Sequence, residues 1–198
     1  MTRSSTGDSE PGTELSVFQS RELQSVLLSY ARAVLIALVK GQSLPAHPEL
    51  GPEISLLRPG LFVTLKTAKG LRGCIGHIRG HAEILAAIRE LCYSSAFEDP
   101  RFSPVQVEEL SRITLELSLL TQAIPIRDWR EIELGRHGIL LSNRGHQAVF
   151  LPQVADEQGW DLSSTLNALA SKAGLAQEAW RESSCHFEIF EAVHFGEP

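Results

Sequence analysis

The chain has 198 residues, enough for one sizeable hydrophobic core but short of two ordinary independent domains. Hydrophobic residues make up 43% of it and charged residues 21%, which excludes large-scale disorder. The formal net charge is −6 and the lysines and arginines are scattered, so we expect neither a nucleic acid nor an anionic membrane surface as a partner.

Targeting signals and membrane spans are not evident in the sequence. The longest apolar stretch, residues 31–39, contains Arg32 and is shorter than the roughly 20 residues that cross a bilayer. The first residues lack the basic and then apolar layout of a signal peptide. Three cysteines at wide spacings, Cys74, Cys92 and Cys185, suit free thiols in a reducing compartment. These features predict a cytoplasmic protein.

In chain order, residues 1–16 are rich in Ser, Thr, Gly and acidic residues, and we expect a flexible tail followed by a single domain over residues 17–198. Residues 18–39 place apolar side chains at helical intervals and predict a long helix with one buried face. Gly41 ends it. Residues 41–60 include four prolines and predict an irregular crossing, which is also the expected position of a smaller lobe.

Two β-rich runs follow, at residues 61–66 and 71–78, and the four residues between them predict a hairpin. Residues 83–97 carry apolar side chains at i, i+1, i+4, i+7 and i+8, which is typical of an amphipathic helix. Asp99-Pro100 stops that helix. Residues 113–119 alternate between apolar and polar and predict a half-buried strand.

The last third of the chain adds another hairpin, a helix and a strand. Residues 137–142 and 147–151 flank a four-residue loop and predict the hairpin. Asp161 or Ser163 caps the helix, and residues 185–195 predict a closing strand. Strands paired through hairpins, with helices interspersed, indicate an α+β fold with a mainly antiparallel sheet and packed helices rather than a doubly wound parallel sheet.

The run Leu71-Arg72-Gly73-Cys74-Ile75-Gly76 is the strongest indication of a functional site. On an extended strand Arg72 and Cys74 share one face, so we expect a guanidinium beside the thiol, where it favours the thiolate. The flanking glycines let a ligand or another backbone approach closely. Two interpretations stay open: Cys74 is a nucleophile or part of an anion pocket, or it is a small buried hydrophobic residue and the glycines mark a bulge.

Two further segments supply candidate site residues. Asp99-Pro100-Arg101 combines a carboxylate, a rigid turn and a guanidinium; it either orients a ligand or is an architectural turn. His137 opens a predicted strand and is the first candidate for a general base near neutral pH, the alternative being an ordinary surface histidine. The candidate catalytic residues are therefore Cys74, Arg72, His137, Asp99 and Arg101.

No metal or cofactor is predicted. The spacing Cys74-x2-His77-x3-His81 resembles a set of metal ligands, but an extended strand sends Cys74 and His77 to opposite faces, and no second Cys or His pair completes a tetrahedral site. The sequence also contains no phosphate-binding glycine loop and no G-x-S-x-G nucleophile turn.

The ordered motifs LRGCIG, EDPRFSPV, RHGILL, LPQVADEQGW and KAGL resemble those of the AMMECR domain family, whose bacterial and archaeal members are called AmmeMemoRadiSam system protein A. The likeness covers residues 25–195. It implies an α+β fold of two lobes, the larger built on an antiparallel sheet with helices and the smaller inserted near the start. The residues that match the family motifs are Arg72, Gly73, Cys74, Gly76, Asp99, Pro100, Arg101, Phe102, His137, Gly138, Pro152, Gln153, Trp160, Lys172 and Gly174.

The resemblance also implies partners, namely a Memo-type protein and a radical S-adenosylmethionine protein in a shared modification system. One hypothesis is a non-catalytic binding or scaffold protein of that system, whose Arg72 surface docks a partner, a peptide or a small molecule. The alternative is a cysteine-dependent enzyme, with Cys74 as nucleophile, Arg72 as anion-binding group and His137 as base.

Overall fold

The computed structural model describes residues 15–198, and this part of the chain contains five α-helices and eight β-strands. The helices are α1 (Arg21–Val39), α2 (Pro52–Ser55), α3 (Ile84–Phe97), α4 (Gln153–Gln158) and α5 (Leu162–Lys172). The strands are β1 (Gly60–Thr67), β2 (Gly70–His77), β3 (Thr114–Leu120), β4 (Ile124–Ile126), β5 (Gly138–Asn143), β6 (His146–Phe150), β7 (His186–Phe190) and β8 (Ala192–Gly196). Of the tail predicted over residues 1–16, the first 14 lie outside the described residues, and Leu15 is buried.

The strands form two antiparallel four-stranded sheets, which confirms the predicted α+β fold. Sheet A has the strand order β2-β1-β3-β8, and sheet B has the order β4-β7-β5-β6. Both predicted hairpins are present, as β1 with β2 and β5 with β6. The first turns at Gly70, whose φ of 107° is a conformation that glycine adopts at little cost.

Helices α1 and α3 cover one face of sheet A and build the larger core. The alternation in β3 places Leu115, Leu117 and Leu119 in that core with no exposed surface. Each buried leucine contributes about 1.5–3 kcal/mol relative to leaving it in water, so this stripe is a main reason why the helices pack here.

Helix α1 begins where Ser20 accepts a hydrogen bond from the Leu23 N–H, a standard N-cap. By length and composition, helix α1 is apolar enough to cross a membrane. This corrects the prediction that no segment is long enough, which considered residues 31–39 alone, because the apolar stretch also includes the first turns of the helix. Leu27, Val34 and Leu35 are nevertheless fully buried in the protein. The inner face of the helix therefore belongs to the larger core.

Residues 41–60, where a smaller lobe was expected, pack Leu50, Ile54 and Leu57 against the larger core. A second core lies further along the chain, where α5 packs on sheet B around the fully buried Leu166 and Leu169. We call sheet A with α1, α2 and α3 the larger lobe, and sheet B with α4 and α5 the smaller lobe.

The chain passes between the lobes twice, from β3 to β4 and from β7 to β8. The closing strand predicted over residues 185–195 is therefore two strands, separated at Glu191. At the crossing, the Thr121 N–H donates to the Glu191 carbonyl and the Glu191 N–H donates to Thr121 Oγ1, both at 2.9 Å. Periodicity in the sequence could not show this change of sheet, because the residues on both sides of Glu191 remain extended.

Candidate functional site

Strand β2 lies at the edge of sheet A, and two side chains satisfy its outward backbone groups at Cys74. The Cys74 N–H donates to Asp99 Oδ2 at 2.9 Å, and the Cys74 carbonyl accepts from Arg101 Nη2 at 3.0 Å. Edge strands otherwise leave such groups without a partner in the sheet. The Asp99 and Arg101 side chains thus make the hydrogen bonds that a neighbouring strand would make. They join the turn after α3 to β2.

Asp99 and Arg101 form a bidentate ion pair, with Arg101 Nε 2.9 Å from Asp99 Oδ1 and Arg101 Nη2 2.7 Å from Asp99 Oδ2. The Asp99 side chain is 2% exposed, whereas that of Arg101 is 53% exposed. The hydrogen bonds from Arg101 outweigh burial and, with the Cys74 N–H, lower the pKa of Asp99 to about 2. The Asp99 carboxylate therefore has a structural role, while part of the Arg101 guanidinium remains accessible to a ligand.

The two glycines of the motif make room for the protein itself. A Cβ at Gly73 would lie 2.2 Å from the Ser95 carbonyl oxygen, and one at Gly76 would lie 2.2 Å from the Phe62 ring. Of the two possibilities predicted for Gly73, a ligand or another backbone, the structure shows a backbone: the last turns of α3 lie directly against it. Ser95 strengthens this contact, because its hydroxyl accepts from the Ile75 N–H and donates to the Val63 carbonyl.

Arg72 does not provide the guanidinium beside the thiol that strand alternation predicted. The pairing of β1 with β2 shifts there, so that Gly73 pairs with Leu65 but Leu71 pairs with Lys66, and Arg72 falls at the resulting bulge. Its Nε and Nη2 instead contact the Glu109 carboxylate at 2.7 and 3.0 Å. The hydrogen bonds from Arg72 lower the pKa of Glu109, and the pair fastens β2 to the segment before β3.

The half-buried thiol of Cys74 lies 3.2 Å from the Thr64 hydroxyl, which donates to it across the β1–β2 pair. Lys172, the last residue of α5, is an electrostatic neighbour of Cys74 and Arg101. We refer to Cys74, Arg101 and Lys172 as the Cys74 surface. It combines residues of both lobes, two of them cationic.

Lys172 is held in place by the smaller lobe. Its Nζ donates to the Val149 carbonyl at 2.9 Å and lies 5.0 Å from the centre of the Phe150 ring. Desolvation by the surrounding protein lowers the pKa of Lys172, and the positive charge of Arg101 acts in the same direction. The ammonium is thus a positioned, partly dehydrated cation although the side chain as a whole reaches solvent.

His137 lies in the smaller lobe, one residue before β5. Its Nδ1 accepts a hydrogen bond from the Glu133 N–H at 3.0 Å. Within residues 15–198 it makes no hydrogen bond or ion pair to Cys74, Arg72, Asp99 or Arg101. The structure therefore joins Cys74, Asp99 and Arg101 directly, pairs Arg72 of the same strand with Glu109, and gives His137 a local turn contact.

The sequence interpretation missed Lys172 and Thr64 as neighbours of Cys74. Thr64 could have been found from the β1–β2 hairpin, since Thr64 and Cys74 are paired across it. The only indication of Lys172 in the sequence was its place in the KAGL motif. Nothing in the local sequence of α5 predicts that the end of this helix faces the other lobe.

Comparisons with known proteins extend over both lobes. The sequence model described as AMMECR1 matches residues 28–195. Protein Mbar_A1807 of Methanosarcina barkeri is 38% identical over 175 residues, which cover 84% of this chain and 86% of that protein. Protein MJ0810 of Methanocaldococcus jannaschii is 36% identical over 176 residues, covering 85% and 87%. The crystal structure of the uncharacterized protein PH0010 from Pyrococcus horikoshii superimposes with a TM-score of 0.82 at 31% identity, covering 90% of this chain and 93% of that one.

Proposed function

This chain belongs to the AMMECR1 family, and from that premise we propose that it is a binding protein in a modification system that also contains Memo-type and radical S-adenosylmethionine proteins. Its binding site is the Cys74 surface, and the ligand is an anionic group carried by a partner protein, a peptide or a small molecule. The observation that carries this proposal is the Arg101 guanidinium, which donates to the Cys74 carbonyl and pairs with the buried Asp99 while more than half of its side chain remains exposed.

Both cations keep donors for a ligand. In Arg101, Nε and Nη2 are used by Asp99 and the Cys74 carbonyl, and Nη1 has no hydrogen bond within residues 15–198. Lys172 Nζ has three hydrogens and one protein acceptor, the Val149 carbonyl. Charge-assisted hydrogen bonds from such groups are the strong ones in carboxylate and phosphate recognition.

The proposal places the protein in the cytoplasm. All three cysteines are free thiols, as a reducing compartment requires.

Lys172→Met is expected to weaken binding of the purified Memo-type and radical S-adenosylmethionine proteins about 10- to 100-fold, since it removes one charge-assisted hydrogen bond worth about 1.5–3 kcal/mol. Biolayer interferometry with the immobilised chain measures both affinities, and thermal unfolding verifies that the variant is folded. Lys40→Met is the control, because it removes the same charge from an exposed position at the end of α1. Equal affinities for the wild type and Lys172→Met, or an equal loss in the control, contradict the proposal.

A second candidate function, a cysteine-dependent enzyme, is favoured by the Thr64 hydroxyl at the Cys74 sulfur and by the neighbouring cations. In this geometry Cys74 is the nucleophile, and Arg101 and Lys172 take the anion-stabilising role first expected of Arg72. The His137 imidazole does not contact Cys74 in this geometry, because its Nδ1 accepts from the Glu133 N–H in the smaller lobe.

Iodoacetamide is expected to alkylate Cys74 in the folded chain well before Cys92. Cys92 has no exposed surface, and burial raises its pKa to about 12, so its thiolate is scarce at neutral pH. Peptide mass spectrometry after timed labelling distinguishes the three cysteines, and Cys74→Ser is the control for assignment. If Cys74 is labelled only after addition of denaturant, the enzyme candidate is excluded.

A further inference from the structure

His77, His81 and Glu90 form a cluster outside the Cys74 surface. His77 is the last residue of β2, His81 lies in the turn that follows, and Glu90 is on the outer side of α3, which runs back over the strand. His77 Nε2 is 3.2 Å from Glu90 Oε1, and His81 Nε2 is 3.0 Å from Glu90 Oε2. The two imidazole rings meet edge to face, with their centres 4.4 Å apart.

The distances suit a metal ion. One ligand atom from each residue lies within 4.8 Å of the others. Bonds of about 2.0 Å to a tetrahedral Zn²⁺ require ligand atoms about 3.3 Å apart, and each imidazole nitrogen already lies close to that distance from one of the two Glu90 oxygens. Small side-chain rotations can bring both nitrogens to that distance from a single oxygen and from each other, because all three side chains are 44–49% exposed.

The donor set specifies the class of ion. Two imidazoles and one carboxylate suit zinc and similar divalent transition metals, whereas an all-oxygen set would suit magnesium or calcium. We propose that His77, His81 and Glu90 bind one Zn²⁺ ion through His77 Nε2, His81 Nε2 and a Glu90 oxygen, with the fourth position open to solvent or a ligand. Three protein ligands with one open position is the arrangement of catalytic rather than structural zinc sites.

The sequence interpretation rejected the set Cys74, His77 and His81 as metal ligands, because an extended strand sends Cys74 and His77 to opposite faces. The Cys74 sulfur contacts Thr64 in the structure. The third ligand comes from α3, 13 residues after His77, and becomes visible only when the helix is folded onto β2.

Isothermal titration of the untagged chain with Zn²⁺ tests this site. We expect one equivalent to bind, and His81→Ala and His77→Ala each to weaken that binding on the order of 100-fold, since even residues that only orient a ligand contribute 10- to 100-fold. His186→Ala is the matched control, because His186 is an exposed strand histidine outside the cluster. Co²⁺ absorption reports the coordination independently, because nitrogen and oxygen ligands give no thiolate charge-transfer band.

Either of two results overturns the proposal. One is a wild-type chain that binds Zn²⁺ no better than His81→Ala; the other is binding that survives both histidine substitutions but is lost in Cys74→Ser or Cys185→Ser, which assigns the ion to a thiol. Since the three ligands are exposed, all these variants are expected to fold, and circular dichroism verifies this.

Discussion

Replacing Asp99 with asparagine is expected to lower the free energy of unfolding by about 2 kcal/mol at neutral pH. The asparagine side chain keeps the size of Asp99 but loses the charge that holds Arg101 in a bidentate pair and receives the Cys74 N–H. Because the Asp99 side chain is 2% exposed, water cannot readily replace these contacts. Urea unfolding followed by circular dichroism measures the change.

The same variant is expected to lose a specific part of the pH dependence of stability. The folded-state pKa of Asp99 is about 2, below the ordinary 3.8, so the unfolded chain takes up the proton first as the pH falls. The stabilisation is fully present above pH 3.8 and is lost as the pH falls through 2. Between these values the wild type should therefore lose about 2 kcal/mol that Asp99→Asn has already lost.

Glu157→Gln is the control for both measurements, because it neutralises an exposed carboxylate on α4. It should change stability by less than about 0.5 kcal/mol. If Asp99→Asn has no larger effect than this control, the Asp99 carboxylate does not support the edge of sheet A as the geometry indicates.

Gly73→Ala is expected to destabilise the protein by about 3 kcal/mol or more, as overpacking in a closely packed region does. The added Cβ would lie 2.2 Å from the Ser95 carbonyl oxygen, a backbone atom that cannot rotate away. Helix α3 would have to move off β2, and the Ser95 hydrogen bonds to Ile75 and Val63 would lengthen. The measurement is again the midpoint and slope of urea unfolding.

Gly51→Ala separates this steric effect from the general effect of replacing a glycine. A Cβ at Gly51 meets nothing within 4 Å, and its φ of −55° is accessible to alanine. We expect a change within about 1 kcal/mol there, the usual cost of alanine in place of glycine at an N-cap. A Gly73→Ala protein as stable as Gly51→Ala would show that α3 and β2 are not in close contact.

The Cys74 region shows which structural features local sequence patterns can predict and which they cannot. The motifs identified the correct strand and the correct turn, because a hairpin and a helix end at Asp99-Pro100 are local properties. Simple alternation offered Arg72 as the guanidinium beside Cys74, but Arg72 falls at the bulge in the β1–β2 register and pairs with Glu109, while Arg101 donates to the Cys74 carbonyl. A bulge leaves little trace in the sequence beyond the glycines around it.

The sequence by itself determined the α+β class, the two hairpins, the long helices and the family, since each depends on periodicity, turn residues or ordered motifs along the chain. The tertiary structure alone decided which side chains meet. Asp99 reaches Cys74 across 25 residues, and Glu90 reaches His77 across 13. Lys172 comes to the Cys74 surface from the other lobe. Local propensity carries no information about such contacts, because they depend on how α3 lies on sheet A and where the chain crosses between the sheets at Thr121 and Glu191.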